Sequence, residues 1–262
     1  MSANPTAAQR RAQAEQDARW LNLPLSGPGD PASVAAHVRH LAKLMGGTRR
    51  ASAAAAAAHW GQLYDRSVSR DFALACREGC AHCCCQIVLV YAPEAFRIAA
   101  QVGDRAETIA AMQKTAGTWS EASSRSANAR TTCPLLSDCR CSIYDSRPLN
   151  CRAFVAIDVR ECISTFVMMG KFAVRMPVPV TNLRTFCHML MMAALRLAGK
   201  DIALYEMNAA VGRILETPDA EARWLAGEDI LRGLAQDVPL APEIEAEIER
   251  LAALAAPIAV RA

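Results

Sequence analysis

The sequence predicts a mainly α-helical single domain that holds two irregular, cysteine-rich segments and at most a short strand pair. Alanine, the strongest helix former, supplies 52 of the 262 residues, whereas aromatic residues make up only 5%. Outside the cysteine-rich segments, apolar residues often recur every three or four positions, which is the spacing of a helix face. Residues 76–85 and 133–162 lack that periodicity and carry cysteines instead.

Proline and glycine mark where the helical stretches begin and end. The predicted elements, in chain order, are a helix over 32–44, a second over about 50–64, a strand within 86–91, a helix opened by Pro93, helix-friendly sequence over 105–130, and further helices over 181–262. Within the last stretch, Leu204, Met207, Val211 and Leu215 share one predicted helix face, and later helices start near Pro218 and at Pro242.

The chain divides by composition into a polar segment over 1–30 and a single helical domain over 31–262. Within that domain we expect a cysteine-rich module over 74–165, followed by C-terminal helices over 181–262. Proline and glycine residues near position 30 interrupt the chain at the proposed boundary, so the first segment is expected to pack loosely.

The charge pattern and the termini exclude several classes of protein. A net charge of +3 is too small, and its basic residues too scattered, to predict a nucleic-acid partner. The N-terminus lacks the apolar stretch of a secretory signal, and the longest apolar runs are shorter than the ~20 residues of a membrane span. We therefore expect a cytoplasmic protein, in which clustered thiols bind metal or perform redox chemistry more often than they form disulfides.

The first cluster places five cysteines within ten positions, at Cys76, Cys80, Cys83, Cys84 and Cys85. If the segment is helical, the first four fall within about 100° of arc, and Cys85 points elsewhere. Cys80 and Cys83 have the C-x2-C spacing that is common to zinc and iron–sulfur sites. We expect Cys80, Cys83 and Cys84 to be ligands and Cys76 to be an additional candidate.

The second cluster contains Cys133, Cys139, Cys141, Cys151 and Cys162, and its spacing matches no zinc-finger or ferredoxin pattern. We expect Cys141 and Cys151 to bind the same metal as the first cluster, with Cys133 and Cys162 as the next candidates. For Cys85 and Cys139, a ligand role and a role as a small buried residue are equally compatible with the sequence. Cys187 lies in an apolar stretch, and we predict that it is a core residue.

The sequence assigns less specific roles to the histidines and to the arginines near the cysteines. His82 lies inside the first cluster and could ligate, although a solvent-facing loop histidine is the commoner case, and His188 reads as a core residue. His37 and His40 share a helix face without a carboxylate at zincin spacing, which favours the surface. Arg147 and Arg152 are candidates to offset thiolate charge or to donate hydrogen bonds to sulfur.

The segments CAHCCCQIVLVYAPEAFRIA and CPLLSDCRCSIYDSRPLNCRAF together resemble the bacterial YkgJ-type cysteine cluster proteins, a zinc- or iron-chelating family marked by C-x-x-C-x-x-C-C. The resemblance covers roughly residues 70–230. The chain departs from the pattern because Cys76 lies four residues before Cys80, and because Cys85 and Cys139 are additional cysteines. Flagellin lysine methylases have a similar cysteine pattern, but nothing else in this sequence supports a methylase activity.

The resemblance implies a bound metal or iron–sulfur cluster. The leading hypothesis is an iron–sulfur or iron protein with a redox-linked, oxidoreductase-like role, an unidentified redox or protein partner and an unassigned reaction. The alternative is a zinc-binding protein that has a structural or metal-handling role without catalysis, in which the metal replaces a missing hydrophobic core.

Overall fold

The computed structural model describes residues 31–46, 51–68, 72–122, 131–168, 173–236 and 238–256. The polar segment over 1–30 lies outside these residues. The helices are α1 (Pro31–Met45), α2 (Ala53–Ser67), α3 (Ala92–Val102), α4 (Ala106–Ala122), α5 (Leu149–Arg152), α6 (Val159–Cys162), α7 (Val178–Leu197), α8 (Met207–Glu216), α9 (Ala220–Leu225) and α10 (Pro242–Ala255). A 3-10 turn covers Tyr144–Ser146, and a π-helical turn covers Ile163–Val167.

The core lies where α7 packs against α1, α2 and α10. Most side chains of α7 from Leu183 to Leu195 are buried, so this helix is apolar on nearly every face. Trp60 of α2 is 1% exposed, and its indole Nε1 donates a 2.8 Å hydrogen bond to the carbonyl oxygen of Cys187. That bond satisfies a buried donor and ties α2 to the middle of α7.

Helix α3 connects this core to the cysteines. It follows the short strand β1 (Leu89–Val90), begins with Pro93 in its first turn and packs against α2 and α8. The Glu94 side chain reaches back to the main-chain N–H of Tyr91 over 3.1 Å, which caps the helix and orients its entry.

Five short strands form two small antiparallel sheets in the described part of the chain. In the first sheet, β1 and β5 (Ala235–Gln236) flank β4 (Leu204–Glu206), with Leu89 opposite Glu206 and Leu204 opposite Gln236. The second sheet is a hairpin of β2 (Leu136–Ser137) and β3 (Arg140–Cys141). The first sheet joins the chain just after the first cysteine cluster to α8.

The predicted fold class is confirmed: the protein is mainly helical, with a cysteine-rich region of short elements. The helix predicted over 32–44 appears as α1, and the helix opened by Pro93 appears as α3. The strand predicted within 86–91 is only two residues long. Leu204 was wrongly assigned to a helix face, because it pairs with Gln236 in β4 and α8 starts only at Met207.

We call residues 72–91 and 131–168 the cysteine module, and we call α1–α4 together with α7–α10 the helical body. None of the described helices is both long enough and apolar enough to cross a bilayer.

Candidate metal centre

The first cysteine cluster consists of consecutive turns, not of the helix used to predict its convergence. The N–H of Cys80 donates to the carbonyl of Arg77, and the N–H of Cys84 donates to that of Ala81, each over 3.0 Å. Gly79, between the first two cysteines, has a φ of +79°, a backbone conformation that L side chains rarely adopt. The helical assignment of this cluster was therefore wrong.

The second cluster is built on the β2–β3 hairpin. Its two-residue loop, Asp138–Cys139, has φ values of +49° and +59°, as a type I′ turn requires. The hairpin pairs Leu136 with Cys141, and so it brings Cys141 back towards Cys133. Cys139 lies at the exposed tip of the hairpin.

Main-chain N–H groups point at two of these sulfurs. The N–H of Leu135 donates to the Cys133 thiol, and the N–H of Ile143 donates to the Cys141 thiol. In both cases the donor lies two residues after the cysteine. Burial raises the pKa of Cys133 to about 12 and also raises the pKa of Cys141, while each N–H acts in the opposite direction. Such donors orient a thiolate and stabilise its charge.

Four thiols from three segments lie within electrostatic range of one another at this hairpin. The N–H of Cys133 donates to the carbonyl of Cys84 over 2.8 Å, which fixes the first cluster against the second. The thiol of Cys151, in α5, is close enough to Cys133, Cys84 and Cys141 for their charges to interact. We call Cys84, Cys133, Cys141 and Cys151 the hairpin group.

Arg147 supplies positive charge to the hairpin group. Its guanidinium acts on Cys84, Cys141 and Cys151, where it favours the thiolate form. The side chain is held by a 3.0 Å bond from Nε to the carbonyl of Tyr144, and its guanidinium carbon lies 3.5 Å from the centre of the Tyr144 ring. The Tyr144 carbonyl and ring thereby hold the cation beside the thiols.

Cys83 and Cys84 are hydrogen-bonded to each other through their side chains. The bond from the Cys83 thiol lowers the pKa of Cys84 to about 7, and Arg147 acts in the same direction. The same bond, together with burial, raises the pKa of Cys83. The pair therefore prefers one proton on Cys83 and negative charge on Cys84.

Three further thiols, those of Cys76, Cys80 and Cys162, lie within electrostatic range of one another or of Cys83. The Cys162 thiol lies near enough to Cys76 and Cys80 for electrostatic interaction, and Cys83 interacts with Cys76. The Cys76 sulfur accepts a 3.3 Å hydrogen bond from the N–H of Ala156. We call Cys76, Cys80, Cys83 and Cys162 the outer group.

The remaining candidates have other contacts or positions. Cys85 donates to the carbonyl of His82 over 3.4 Å, and Cys187 is buried in α7. Arg152 bonds to the Asp65 carboxylate over 2.7 Å and to the carbonyl oxygens of Asp145 and Arg147. Arg152 therefore links the 3-10 turn to α2 through bonds to oxygen atoms.

Glu94 is a positioning residue that the sequence analysis missed. Its side chain is 4% exposed and accepts a 2.7 Å bond from the N–H of Leu149, the first residue of α5, which carries Cys151. Burial raises the pKa of Glu94 to about 7, although the two N–H donors and nearby Arg152 oppose this. Glu94 lies three residues after Tyr91, the N-cap of α3, and this capping-box spacing was the sequence signal that could have identified it.

The donor set fits a thiophilic metal, because thiolates suit zinc, iron and iron–sulfur clusters. In the conformation described, the thiols approach one another pairwise. No three His, Cys, Asp or Glu side chains of the described residues are close enough to hold an ion. To bind a metal, the thiols of the hairpin group would have to move closer together than in this conformation.

Residues 75–170 match the family model CxxCxxCC, described as a "Putative zinc- or iron-chelating domain". Over these residues the chain is similar to that family, whose description agrees with the metal-chelating chemistry that the sequence resemblance implies. The matched segment includes the cysteine clusters together with α3 and α4. No curated protein and no solved structure matches the chain.

Proposed function

We propose that the protein is a cysteine-ligated metalloprotein that binds an iron–sulfur cluster, or iron, and has a redox-linked role in the cytoplasm. The family description supports metal binding as such. The observation that carries the proposal is the hairpin group: four thiols from three segments that approach one another beside Arg147. The proposed ligands are Cys80, Cys83, Cys84, Cys133, Cys141, Cys151 and Cys162.

The chemistry around the hairpin group supports a centre with accumulated negative charge. Four thiolates carry four negative charges, and the Leu135 and Ile143 N–H groups and the Arg147 guanidinium face them. Hydrogen bonds to sulfur and nearby cations set the reduction potential of iron–sulfur clusters. A bound cluster would supply one-electron transfer. The protein residues would orient the sulfurs, offset their charge and limit the access of water.

The alternative is a zinc site that stabilises the cysteine module. It is supported by the shortness of the module's elements, most of which span only two to five residues. Turns of this kind bury few large side chains, and a structural zinc ion can supply the missing folding free energy. The hairpin group satisfies the four-thiolate requirement of this alternative as well.

The test is purification of the full chain without oxygen, followed by iron, zinc and acid-labile sulfide analysis and a visible spectrum. Stoichiometric iron and sulfide with a brown absorption near about 400 nm supports the cluster. Colourless protein with stoichiometric zinc supports the alternative. Protein that retains neither metal, even after iron–sulfide or zinc reconstitution, contradicts both.

Matched variants connect this result to the ligands. We expect C141S to lose metal and stability together, since Cys141 belongs to the hairpin group. We expect C187S to keep its metal, because Cys187 lies in the apolar core of α7. Equal metal content in the two variants contradicts the ligand assignment.

A further inference from the structure

We propose that the chain holds two neighbouring thiolate metal sites, one formed by the hairpin group and a second formed by the outer group. The inference rests on the proposed function and refines it: Cys76, Cys80, Cys83 and Cys162 together bind a thiophilic divalent cation of their own. Cys76, so far only an additional candidate, thereby becomes a ligand of a defined site.

The main chain separates the cysteines into these two sets. Cys84 is tied to Cys133 by a 2.8 Å hydrogen bond, and the β2–β3 pairing ties Cys133 to Cys141. Cys76 is tied to a different stretch of chain. The N–H of Ala75 donates to the carbonyl of Ala156 over 2.9 Å, and the N–H of Ala156 donates to the Cys76 sulfur.

The stretch that holds Cys76 leads directly to Cys162. Six residues after Ala156, Cys162 ends the short helix α6, which Asp158 caps by accepting from the N–H of Arg160 over 2.9 Å. Cys162 is 4% exposed, and its thiol lies in the electrostatic range of Cys76 and Cys80.

Cys83 and Cys84 form the junction between the two groups. As consecutive residues they cannot be far apart, and their side chains are hydrogen-bonded. Cys83 interacts with Cys84 and Cys151 of the hairpin group as well as with Cys76 of the outer group, and Cys84 has the Arg147 cation and Cys133 near it. We assign Cys84 to the hairpin group through its main-chain bond to Cys133 and Cys83 to the outer group, so that each group has four donors.

The surroundings of the two groups differ in charge. Arg147 acts on three thiols of the hairpin group, while Asp158 and Glu161 are the charged groups acting on Cys162. Both carboxylates are paired, Asp158 with Arg160 and Glu161 with Arg175. A thiophilic divalent ion would offset part of the negative charge of four outer thiolates.

The test is a titration of the full chain with Co²⁺ after metal removal under reducing, oxygen-free conditions. Cobalt bound to thiolates absorbs in the near ultraviolet and visible, and so the spectrum counts occupied sites. We expect the wild type to saturate at two equivalents. We expect C80S and C162S to saturate at one equivalent through the hairpin group, and C141S to saturate at one through the outer group.

C139S and C187S are the matched controls, because Cys139 lies at the hairpin tip and Cys187 in the core of α7. Both should still bind two equivalents. If replacement of the buried Cys162 impairs folding, C80S still tests the outer group, because Cys80 is only partly buried.

The outcomes separate the two proposals. Saturation of the wild type at one equivalent overturns the second site and leaves the metalloprotein proposal standing. Two equivalents in both C80S and C162S also overturn the assignment of the outer group. Absence of any thiolate–cobalt absorption in the wild type, together with failure to bind zinc or iron, overturns the proposed function itself.

Discussion

The cysteine module and the helical body are stabilised by different means. The helical body consists mainly of helices of 10 to 20 residues, with fully buried large side chains such as Trp60, Leu41 and Leu190. The cysteine module is a series of turns and short elements. Most of the exposed large apolar side chains of the described residues lie in it: Leu74, Ile87, Tyr144, Ile157, Val167 and Met168.

This difference indicates where the folding free energy comes from. Burial of apolar surface stabilises the helical body, at roughly 25 cal/mol for each Å² removed from water. The module buries few large residues, Leu135, Ile143 and Leu149 among them. Nine partly or fully buried thiols stand where a larger domain would place more apolar side chains. The module should therefore depend on metal, whereas the helical body should not.

Metal removal should give the largest effect. A structural thiolate–metal site contributes on the order of 10 kcal/mol, so chelation should raise amide exchange in residues 131–168 by at least about 100-fold. The central amides of α7 should keep their protection. Hydrogen–deuterium exchange of the full chain, with and without chelator, measures both regions in one sample.

The control for this prediction is C139S, whose exchange should respond to chelator as the wild type does, because Cys139 lies outside both groups. If chelation exposes α7 as strongly as residues 131–168, the two regions unfold as one unit and the contrast between them is wrong.

A cavity in the helical body should lower the stability of the protein without releasing the metal. Leu190 in α7 is 1% exposed, and Leu190→Ala should cost about 2–5 kcal/mol of unfolding free energy. Its metal content should stay at the wild-type value, because α7 contributes no proposed ligand. Denaturant unfolding together with elemental analysis tests this. Loss of metal at temperatures where the helices remain folded would contradict it.

The helical body could be predicted from the sequence because its physics is local and periodic. The spacing of Val34, Val38 and Leu41 already places one face of α1 in the core, and all three are buried. The exception, Leu204, had a spacing compatible with the next helix. Leu204 belongs to β4, and this strand pairs with β1 and β5, which lie about 30 residues or more before and after it in the chain. Pairing over such distances leaves no local signal in the sequence.

For the cysteine module, the sequence predicted metal binding but not the arrangement of the chain. Residue type alone pointed to a metal, but the arrangement depends on turns that helical spacing cannot describe. The hydrogen bond from Cys133 to Cys84 and the bond from Ala156 to Cys76 join residues 49 and 80 positions apart. The ligand assignment itself remains a prediction, as do the domain boundaries.

Glu94 links the helical body to the cysteine module, because it accepts hydrogen bonds from the N–H groups of Tyr91 and Leu149. Glu94→Ala leaves two buried donors without this acceptor and should cost about 1–3 kcal/mol. Because Leu149 begins the helix that carries Cys151, metal should also dissociate faster. Glu94→Gln keeps one acceptor oxygen and should show a smaller loss of both. Equal losses in the two variants would show that the carboxylate charge, not its hydrogen bonds, is what matters.

The smallest effect should come from a histidine cluster between α1 and α2, far from the cysteines in sequence. His37 Nδ1 lies 3.2 Å from His59 Nε2, and the rings of His40 and His59 meet edge to face at 4.5 Å between centroids. Burial, then the neighbouring His40, His37 and Arg66, lower the pKa of His59 from 6.5 to about 4.

The unfolded chain therefore binds more protons than the folded one between pH 6.5 and about 4. The cluster's contribution is complete above pH 6.5 and is lost as the pH falls through this window. Since the rings are partly exposed, solvent screening limits the change to about 1 kcal/mol or less. Unfolding midpoints measured across this range should fall in the wild type, less steeply in Arg66→Gln and least in His59→Gln. A His59→Gln profile as steep as the wild type would mean that other groups dominate the acid response of the helical body.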